Sequence, residues 1–267
     1  MTGARTPDLS IVIPFFNEED NIAPLFAELL PVLDGIGRPF EVVAVDDGST
    51  DATLERLRHE ASLRPEIRLL RQLENRGQTA AFDAGFKAAR GALVATMDGD
   101  LQIDPSDLPA MIERLETEGV DFVYGRRADR QDSFSKRVST KIANAIRNRL
   151  TWEKIPDTGC PLKLFRAEVV KSFKLHDGMH RFFITLAHIE GFRSTEMRVR
   201  HRHRVHGSSK YGVMNRVFRA LRDCLVVRWM IVRHLRYRTE EIHVRPAVVP
   251  ASPPPAAEGE RAAEAAS

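Results

Sequence analysis

Two aspartates, Asp98 and Asp100, stand on either side of Gly99 directly after an apolar run. Carboxylates at this spacing can both reach one hard divalent cation, and a site with few protein ligands leaves room for phosphate oxygens and water. A cation held in this way offsets the charge that develops on a departing diphosphate. Residues 97–100 therefore predict a site for Mg²⁺ or Mn²⁺ in a reaction that releases a diphosphate.

Polar side chains also follow two earlier apolar runs, at residues 14–19 and 46–51. One reading of residues 46–51 is a turn that caps a helix, with Ser49 or Thr50 as the cap and Asp51 in the first turn. The other is a binding site, in which carboxylates accept hydrogen bonds from a nucleobase imide or from ribose hydroxyls. Both interpretations of residues 46–51 stay open, whereas Asp98 and Asp100 favour binding, because a surface turn does not need both of these carboxylates.

The three polar segments are positioned by alternating strands and helices. Short apolar runs rich in β-branched residues, as in buried parallel strands, occur at residues 9–13, 40–45 and 92–97. Helical apolar spacing lies between and beside them, at residues 21–32, 51–64 and 79–90. This order predicts an α/β fold with a mixed, mainly parallel central sheet flanked by helices. Ligands bind such sheets at the carboxyl ends of the strands, where the polar segments lie.

The composition is typical of a globular enzyme. The chain has 267 residues, of which 43% are hydrophobic, enough for one large domain with a sizeable core. Basic residues crowd the second half of the chain, which suggests an anionic partner there. Two cysteines, a polar N-terminal segment and no apolar stretch of transmembrane length predict a cytoplasmic protein that meets a membrane only by lying on it.

Four motifs follow one another in a fixed order: Pro14-x-x-Asn17-Glu18, Asp46-Asp47-Gly48-Ser49-x-Asp51, Asn75-x-Gly77 and Asp98-x-Asp100. This order resembles that of the family 2 glycosyltransferases with a GT-A fold. Within that family the chain is most similar to dolichol- or polyprenyl-phosphate glycosyltransferases of the dolichyl-phosphate mannose synthase type, because the likeness continues through residues 125–127, 157–166 and 204–212. The resemblance covers roughly residues 8–215 and implies a Rossmann-like GT-A domain.

The resemblance implies a role for each motif residue. The nucleotide-sugar donor is expected to contact Pro14, Asn17, Glu18, Asp46, Asp47, Ser49, Asn75, Gly77 and Asp98. The metal is expected to bind Asp98 and Asp100, and Gln102 stands where the family often has a further metal ligand. Catalysis is expected to involve Asp100, Arg126 and Asp157.

A basic segment, residues 204–211, matches the family's mobile loop, which closes over the donor. Its expected phosphate contacts are Arg204, Ser209 and Lys210, whose side chains donate hydrogen bonds to anionic oxygens. Residues 201–210 can alternatively be a solvated basic loop that contacts RNA, but no recognised nucleic-acid module accompanies them. A zinc site is disfavoured because an Arg-rich run repels a divalent cation, although three histidines lie close together in these residues: His201, His203 and His206.

The acceptor phosphate is expected to contact Arg126, Arg127 and Lys163. Lys163 stands where the family pattern has arginine, so it offers a point charge rather than a planar fork. The role of Asp157 depends on the acceptor. A hydroxyl acceptor needs a base, whereas a lipid phosphate is already ionised and leaves Asp157 to position a loop, the metal or the sugar. Cys160 is expected to be a buried small residue rather than a nucleophile.

Two basic segments with helical apolar spacing, residues 134–150 and 216–238, bear on the acceptor. Each segment can lie at an anionic cytoplasmic leaflet, and in the second segment Trp229 would then lie at headgroup depth. Each can alternatively pack against the core or a second subunit. Many relatives end in transmembrane helices, so this chain is expected to reach the membrane peripherally or through a membrane-protein partner. The predicted domains are a GT-A domain (1–215), a basic amphipathic helical segment (216–245) and a disordered Pro/Ala-rich tail (246–267).

The favoured function is inverting transfer of a sugar from a UDP- or GDP-sugar to a polyprenyl phosphate at the inner face of the membrane, with Mg²⁺ or Mn²⁺ and no nucleic acid as partner. One alternative is transfer to a glycan or lipid hydroxyl in cell-envelope polysaccharide or glycolipid synthesis, with Asp157 as base. A remote alternative is a basic membrane- or RNA-binding module on a scaffold that has lost activity. The complete set of donor-site carboxylates argues against this last reading.

Overall fold

The computed structural model describes residues 6–127, 145, 147–151, 155–202, 213–235 and 240, with side chains in the last helix from residue 221 onward. The predicted helix at 134–150 and the predicted tail at 246–267 therefore lie largely or wholly outside the described residues. The chain divides into two units, Met1–His234 and Leu235–Ser267, and every element described below belongs to the first.

The first unit is built on seven strands: β1 (Leu9–Phe15), β2 (Phe40–Asp46), β3 (Ile67–Arg71), β4 (Leu93–Thr96), β5 (Phe122–Arg127), β6 (Lys163–Arg166) and β7 (Ser194–Val199). They form one sheet in the order β3-β2-β1-β4-β6-β5-β7. Strand β6 runs antiparallel to β4 and β5, and the remaining pairs are parallel. The predicted mixed, mainly parallel α/β sheet is confirmed.

The longer helices are α1 (Ile22–Ile36), α2 (Thr53–Leu63), α3 (Gln78–Ala88), α4 (Leu108–Thr117), α5 (Ala167–Ser172), α6 (Phe183–Ile189) and α7 (Val213–Arg233). The first three correspond to the helices predicted at 21–32, 51–64 and 79–90. Helix α7 overlaps the segment predicted at 216–238. Across the described part of the chain, no helix combines the length and apolarity needed to cross a bilayer.

The core lies on both faces of the sheet, because successive side chains of a strand alternate between faces. In β1, Ile11 and Ile13 pack in a cluster with Leu29 of α1, whereas Val12 packs in a cluster with Phe82 of α3 and Phe183 of α6. Burial on both faces explains why the central strands read as almost continuous apolar runs.

Strand β1 extends further than predicted. Proline was expected to end it at residue 13, yet it continues through Pro14 to Phe15, opposite Val45 and Asp46 of β2. The ladder with β4 ends at Val12, so the missing N–H of Pro14 removes no bond on that side. The extension carries the chain directly to the polar residues that follow β1.

Candidate functional site

One edge of the sheet collects the predicted site residues. Because β6 alone is antiparallel, the other strands end on this edge and β6 begins on it. The segments that meet there are residues 14–18, 46–49, 75–77, 98–102, 126–127, 157–163 and 200–202. The topology thus brings together every described residue of the predicted site, and the binding roles of these residues stay predictions.

Asp98 and Asp100 lie in the loop that follows β4. Asp100 is buried and Asp98 is half-buried. Gln78, the first residue of α3, donates from Nε2 to Asp98 Oδ1 at 2.8 Å. The backbone N–H of Gln102 donates to Asp100 Oδ1 at 3.2 Å. Each carboxylate is therefore oriented by a defined hydrogen bond.

Gly99 lets this loop pack against the end of β1. A Cβ at Gly99 would lie 2.6 Å from ring atoms of Phe15, which is buried and stacked on Phe26. Leu101 adopts φ +61°, in the left-handed region, at a cost of about 1 kcal/mol for a residue other than glycine. The close packing at Gly99 and the turn at Leu101 determine where the two aspartates project.

Asp46, the last residue of β2, is fully buried. Its Oδ1 accepts the N–H of Ser49 at 3.2 Å, whereas its buried Oδ2 has no hydrogen-bond partner among the described residues. A buried polar atom without a partner costs about 1–3 kcal/mol, and more when charged. A ligand that brings a hydrogen-bond donor to Asp46 Oδ2 removes this cost, and the imide N–H of a nucleobase is such a donor.

Asn17 joins the ends of β1 and β2. It adopts φ +52°. Its N–H donates to Ser49 Oγ at 3.0 Å, and its Oδ1 accepts the N–H of Thr50 at 2.8 Å. The N-cap of α2 is Ala52, and among the described residues no side chain caps the helix, so neither Ser49 nor Thr50 does so. Asp51 Oδ1 accepts the N–H of Thr53, the first residue of α2, at 3.0 Å.

Pro14 and Glu18 flank Asn17 at the same strand end. Pro14 is half-buried within β1. The N–H of Glu18 donates to Thr53 Oγ1 at 2.9 Å, and its Oε2 accepts a hydrogen bond from Asn21 Nδ2 at 2.6 Å. The β1 end is thus fixed to the start of α2 as well as to the β2 loop.

Asp47 shapes the loop that follows β3. Its Oδ1 accepts the N–H of Arg76 at 2.8 Å, and its Oδ2 accepts the N–H of Gly77 at 2.9 Å and the Nδ2–H of Asn75 at 3.1 Å. Burial raises the pKa of the Asp47 carboxyl, and these hydrogen bonds partly counter it. Asp47, Asn75 and Gly77 thus determine the shape of the loop that follows β3.

Arg127 binds Asp157 through two parallel hydrogen bonds. Nε lies 2.8 Å from Oδ2 and Nη2 lies 2.7 Å from Oδ1, and the backbone N–H of Arg127 also donates to Oδ2 at 3.2 Å. The side chains are 14% and 6% exposed. Both carboxylate oxygens of Asp157 are therefore engaged with Arg127. This pairing is compatible with the positioning role that the sequence left open beside the role of a base, and the role of Asp157 stays a prediction.

Lys163 is buried at the start of β6 and donates from Nζ to the carbonyl of Cys160. Burial lowers the pKa of the Lys163 ammonium, while Cys160, Asp98 and Asp157 stabilise its charge. Cys160 is also buried, and burial raises the pKa of its thiol to about 11, which makes it a poor nucleophile. Lys163 therefore lies beneath the site, close enough to act on its carboxylates.

Arg126 is the more exposed of the two arginines that end β5. Its Nε lies 3.3 Å from Oε1 of Glu196 on β7, and 36% of its side chain is exposed. An exposed ion pair contributes at most about 1 kcal/mol, so Arg126 can exchange Glu196 for a phosphate at little cost.

The residues that follow β7 attach to the aspartate loop. His201 forms an isolated antiparallel bridge with Ile103, and the N–H of Arg202 donates to the carbonyl of Gln102 at 2.8 Å. The chain then continues into residues 203–212, which lie outside the described residues. Three predicted phosphate contacts fall in that segment: Arg204, Ser209 and Lys210.

The guanidinium of Arg202 strengthens this attachment. It donates to Glu28 Oε2 of α1 at 2.7 Å and to Asp104 Oδ2 at 2.9 Å. Hydrogen bonds from Ser106 and Arg202 outweigh burial and lower the pKa of the Asp104 carboxyl. Arg202, the last described residue before the segment 203–212, is therefore fixed to both α1 and the aspartate loop.

The oxygens of Asp98, Asp100 and Gln102 suit a divalent cation that is shared with a ligand. Within the described residues, no three His, Cys, Asp or Glu side chains approach closely enough to enclose a metal. Mg²⁺ or Mn²⁺ bound to a nucleotide diphosphate needs only one or two protein carboxylates, because phosphate oxygens and water complete its shell. Of the three histidines considered for zinc, His203 and His206 lie outside the described residues.

Sequence reasoning missed two residues that orient the site, Gln78 and Arg202. Gln78 directly follows Gly77 of a recognised motif at the start of a predicted helix, so its position near the strand ends was accessible from the sequence. Arg202 gave no such signal, because its partners Glu28 and Asp104 are separated from it by 174 and 98 positions in the chain.

Comparison with protein families and curated proteins supports the reading of the motifs. Residues 10–173 match the model of glycosyl transferase family 2. The chain is 40% identical over 240 residues to dodecaprenyl-phosphate galacturonate synthase of Rhizobium johnstonii, covering 88% of this chain and 70% of that protein. It is 39% identical over 208 residues to undecaprenyl-phosphate 4-deoxy-4-formamido-L-arabinose transferase of Edwardsiella ictaluri, covering 77% of this chain and 63% of the relative.

Solved structures share the fold. Glucosyl-3-phosphoglycerate synthase from Mycobacterium tuberculosis, in complex with Mn²⁺, UDP and glucosyl-3-phosphoglycerate, superposes with a TM-score of 0.62 at 20% identity, covering 82% of this chain and 80% of that one. A mannosyltransferase from Pyrobaculum calidifontis in complex with GDP-Man and Mn²⁺ gives 0.54 at 19% identity, with 84% and 70% covered. At this identity the likeness concerns the GT-A fold alone.

Proposed function

The chain belongs to glycosyl transferase family 2, and on this premise we propose that it transfers a sugar from a UDP- or GDP-sugar to a polyprenyl phosphate, with inversion at the anomeric carbon. Membership of the family makes it a glycosyltransferase. The polyprenyl phosphate is the acceptor class in the names of both relatives cited above. The chain spans about two thirds of the length of those relatives, so the acceptor is proposed for this chain from its own residues as well.

The ion pair of Asp157 with Arg127 is the observation on which the choice of acceptor depends. A hydroxyl acceptor must lose its proton as it attacks, which calls for a base within reach. Both oxygens of Asp157 are engaged with Arg127 at 2.7–2.8 Å, and a carboxylate in a bidentate ion pair is a weaker base. A phosphate monoester needs no such base, because it is already anionic at neutral pH. The geometry of Asp157 therefore favours a phosphate acceptor.

The donor nucleotide is assigned to the ends of β1 and β2. Asp46 Oδ2 accepts the imide N–H of the base, which supplies the missing hydrogen bond. Asn17 and Ser49 hold the loop beside it, and Asp47 shapes the loop of Asn75 and Gly77 on the far side of β2. These contacts suit a uracil or guanine base, since both present an N–H flanked by a carbonyl.

The diphosphate is assigned to the aspartate loop. Asp98, Asp100 and Gln102 hold a divalent cation, whose contribution is to neutralise charge on the leaving diphosphate. Gln78 and the backbone of Gln102 keep the two carboxylates oriented, so the protein pays little reorganisation when the donor binds. Mn²⁺ in two structures that share the fold supports the choice of cation.

The acceptor phosphate is assigned to Arg126, with Arg127 and Lys163 behind it. Arg126 is exposed at the same edge and is paired only weakly with Glu196. Arg127 is fixed by Asp157, and Lys163 lies beneath with Asp98 and Asp157 among its electrostatic partners. This cationic group attracts a dianionic phosphate to the side of the site away from the nucleotide and limits repulsion between the two phosphate groups.

Helix α7 is proposed to lie on the anionic inner face of the membrane that contains the lipid acceptor. Its apolar residues Leu225, Trp229 and Val232 share one face and are 58%, 64% and 60% exposed, while the opposite face buries Val227. Exposed Arg222 belongs to the same helix, which gives charge complementarity to anionic headgroups. A peripheral position of this kind brings the lipid phosphate to an enzyme that acts from the cytoplasmic side.

The test supplies purified full-length protein with Mn²⁺, labelled UDP- or GDP-sugars and polyprenyl phosphate in vesicles, and measures label in the organic-solvent extract. Labelled lipid is expected with one donor class and not with the unphosphorylated polyprenol. The Asp100→Asn variant serves as the inactive control. Labelling of polyprenol or of a glycan instead would establish the hydroxyl alternative, and hydrolysis of every donor without lipid labelling would exclude the proposed acceptor.

A further inference from the structure

The hydroxyl of Thr79, the second residue of α3, is buried inside a turn that comes about 100 positions later in the chain. The N–H groups of Gly178 and His180 donate to Thr79 Oγ1 at 3.1 and 3.4 Å. His180 Nδ1 lies 2.7 Å from the same oxygen. A single hydroxyl thus joins the start of α3 to the 3-10 helix Met179–Phe182, which leads into α6.

The donors and acceptors of this group fix the tautomer of His180. Thr79 Oγ1 already accepts two backbone N–H groups, so its own proton is the one left to bridge the 2.7 Å gap to Nδ1. Nδ1 is then the acceptor, and the ring proton of the neutral imidazole is on Nε2. Burial, together with the nearby Arg181 and Lys163 cations, lowers the pKa of His180 to about 3, so the imidazole stays neutral near physiological pH.

The residue before Thr79 is Gln78, which holds Asp98. Gln78 lies in the first turn of α3, and its Nε2 donates to Asp98 Oδ1 at 2.8 Å, across from that turn. Among the described residues no side chain caps this helix, whose N-cap is Gly77 at φ +88°, so the first turn lacks the usual local restraint. The contact of Thr79 with the 178–180 turn supplies a restraint from outside the helix.

We propose that Thr79 and His180 are positioning residues that hold the first turn of α3, and with it Gln78, against the Asp98 carboxylate. The role rests on the proposed function, since Asp98 matters only where a cation and a diphosphate bind. Outer hydrogen-bond partners of metal ligands typically change metal affinity by about 10- to 100-fold when removed. Gln78 is such an outer partner of Asp98, and the contact between Thr79 and His180 in turn holds the helix turn that contains Gln78.

The test measures UDP and GDP binding by calorimetry over a range of Mn²⁺ concentrations, which needs neither acceptor nor turnover. Gln78→Ala is expected to raise the half-saturating Mn²⁺ concentration by about tenfold, and Thr79→Val by about threefold. Thr79→Ser retains the hydroxyl and is expected to match the wild type. If Thr79→Val binds Mn²⁺ and nucleotide as the wild type does, while Gln78→Ala loses affinity, the proposal is wrong.

Two variants of His180 separate positioning from general packing. Asn places its Oδ1 near the position of the imidazole Nδ1 and can accept from Thr79, whereas Gln places its amide near Nε2. His180→Asn is therefore expected to keep Mn²⁺-dependent binding, and His180→Gln to behave like Thr79→Val. Equal losses in both variants would show that the imidazole matters for packing only. Normal nucleotide binding in a wild type that labels no lipid would overturn the proposed acceptor while leaving this inference standing.

Discussion

Arg127 and Asp157 form a bidentate ion pair whose Nη2–Oδ1 and Nε–Oδ2 distances are 2.7 and 2.8 Å, at the junction of β5 with the segment that enters β6. The two side chains come from sequence positions 30 residues apart and are largely buried. The pair fixes an arginine on the side of the site proposed for the acceptor, and it engages both oxygens of the carboxylate that would otherwise be the first candidate for a base. The contribution of this ion pair to the stability of the fold can be measured separately from its contribution to activity.

Asp157→Leu is expected to destabilise the protein by about 3 kcal/mol, because it leaves the Arg127 charge buried without its anionic partner. Arg127→Met is expected to cost a similar amount. The double variant Arg127→Met/Asp157→Leu should recover much of that loss in urea unfolding, since two apolar side chains can replace a buried pair. It should nevertheless stay inactive. Additive losses in the double variant would show that the pair contributes nothing as a unit.

Gly99→Ala is expected to reduce activity by at least about tenfold and to lower the free energy of unfolding by about 1–3 kcal/mol. The added Cβ would meet the Phe15 ring at 2.6 Å, and that ring is held by its own packing on Phe26. The loop must therefore shift, and Asp98 and Asp100 move with it. The loss is measured as the rate of sugar transfer at a series of Mn²⁺ concentrations.

The matched control is Gly35→Ala in α1, where an added Cβ has no atom within 4 Å. That variant should keep full activity and gain up to about 1 kcal/mol, because alanine favours a helix interior. Equal activities of the two variants would show that the packing of Gly99 on Phe15 does not position the aspartates.

Arg202→Ala is expected to raise the donor KM by about tenfold while changing the free energy of unfolding by less than about 1 kcal/mol. Its guanidinium joins Glu28 and Asp104 at the base of the segment that contains Arg204, at the surface where such pairs add little stability. Steady-state kinetics measure the KM. Arg38→Ala breaks a comparable exposed pair with Glu116 and should leave the KM unchanged.

Trp229→Ser combined with Leu225→Ser is expected to weaken sedimentation with anionic vesicles by at least about tenfold, because two large apolar side chains leave the interface. The control is Leu63→Ser, which removes a side chain that is 61% exposed in α2, away from α7. The control should bind vesicles as the wild type does. Association of the wild type with neutral vesicles at equal strength would argue against the electrostatic part of the proposed contact.

The local motifs made it possible to predict that polar residues gather at one end of the sheet, whereas the contacts between distant segments could not be predicted. Asp98 and Asp100 could be selected from the sequence because strand, turn and carboxylates are consecutive in the chain. Arg127 and Asp157 were both selected, yet nothing in the sequence states that they bind each other. The contact of Thr79 with His180 spans 101 positions and left no periodicity or motif to read. This contact forms because the first turn of α3 packs against the turn that precedes α6, and only the folded chain brings these two segments together.

His180 makes a specific prediction for stability as a function of pH. Its pKa is lowered from 6.5 to about 3 in the folded protein, chiefly by burial, so between these values the unfolded chain binds a proton that the folded chain does not. The free energy of unfolding should therefore fall as the pH drops below about 6.5 and continue to fall toward pH 3. From pH 6.5 to pH 5 this one group is expected to account for about 2 kcal/mol.

Urea unfolding of the wild type and of His180→Asn at pH 7 and pH 5 measures this contribution. The variant has a constant offset from its altered packing, so the informative quantity is the change in the difference between the two proteins. That difference should move by about 2 kcal/mol in favour of the variant at pH 5. A difference that is the same at both pH values would mean that His180 is protonated equally in the folded and unfolded chains, and it would contradict the prediction made from the lowered pKa.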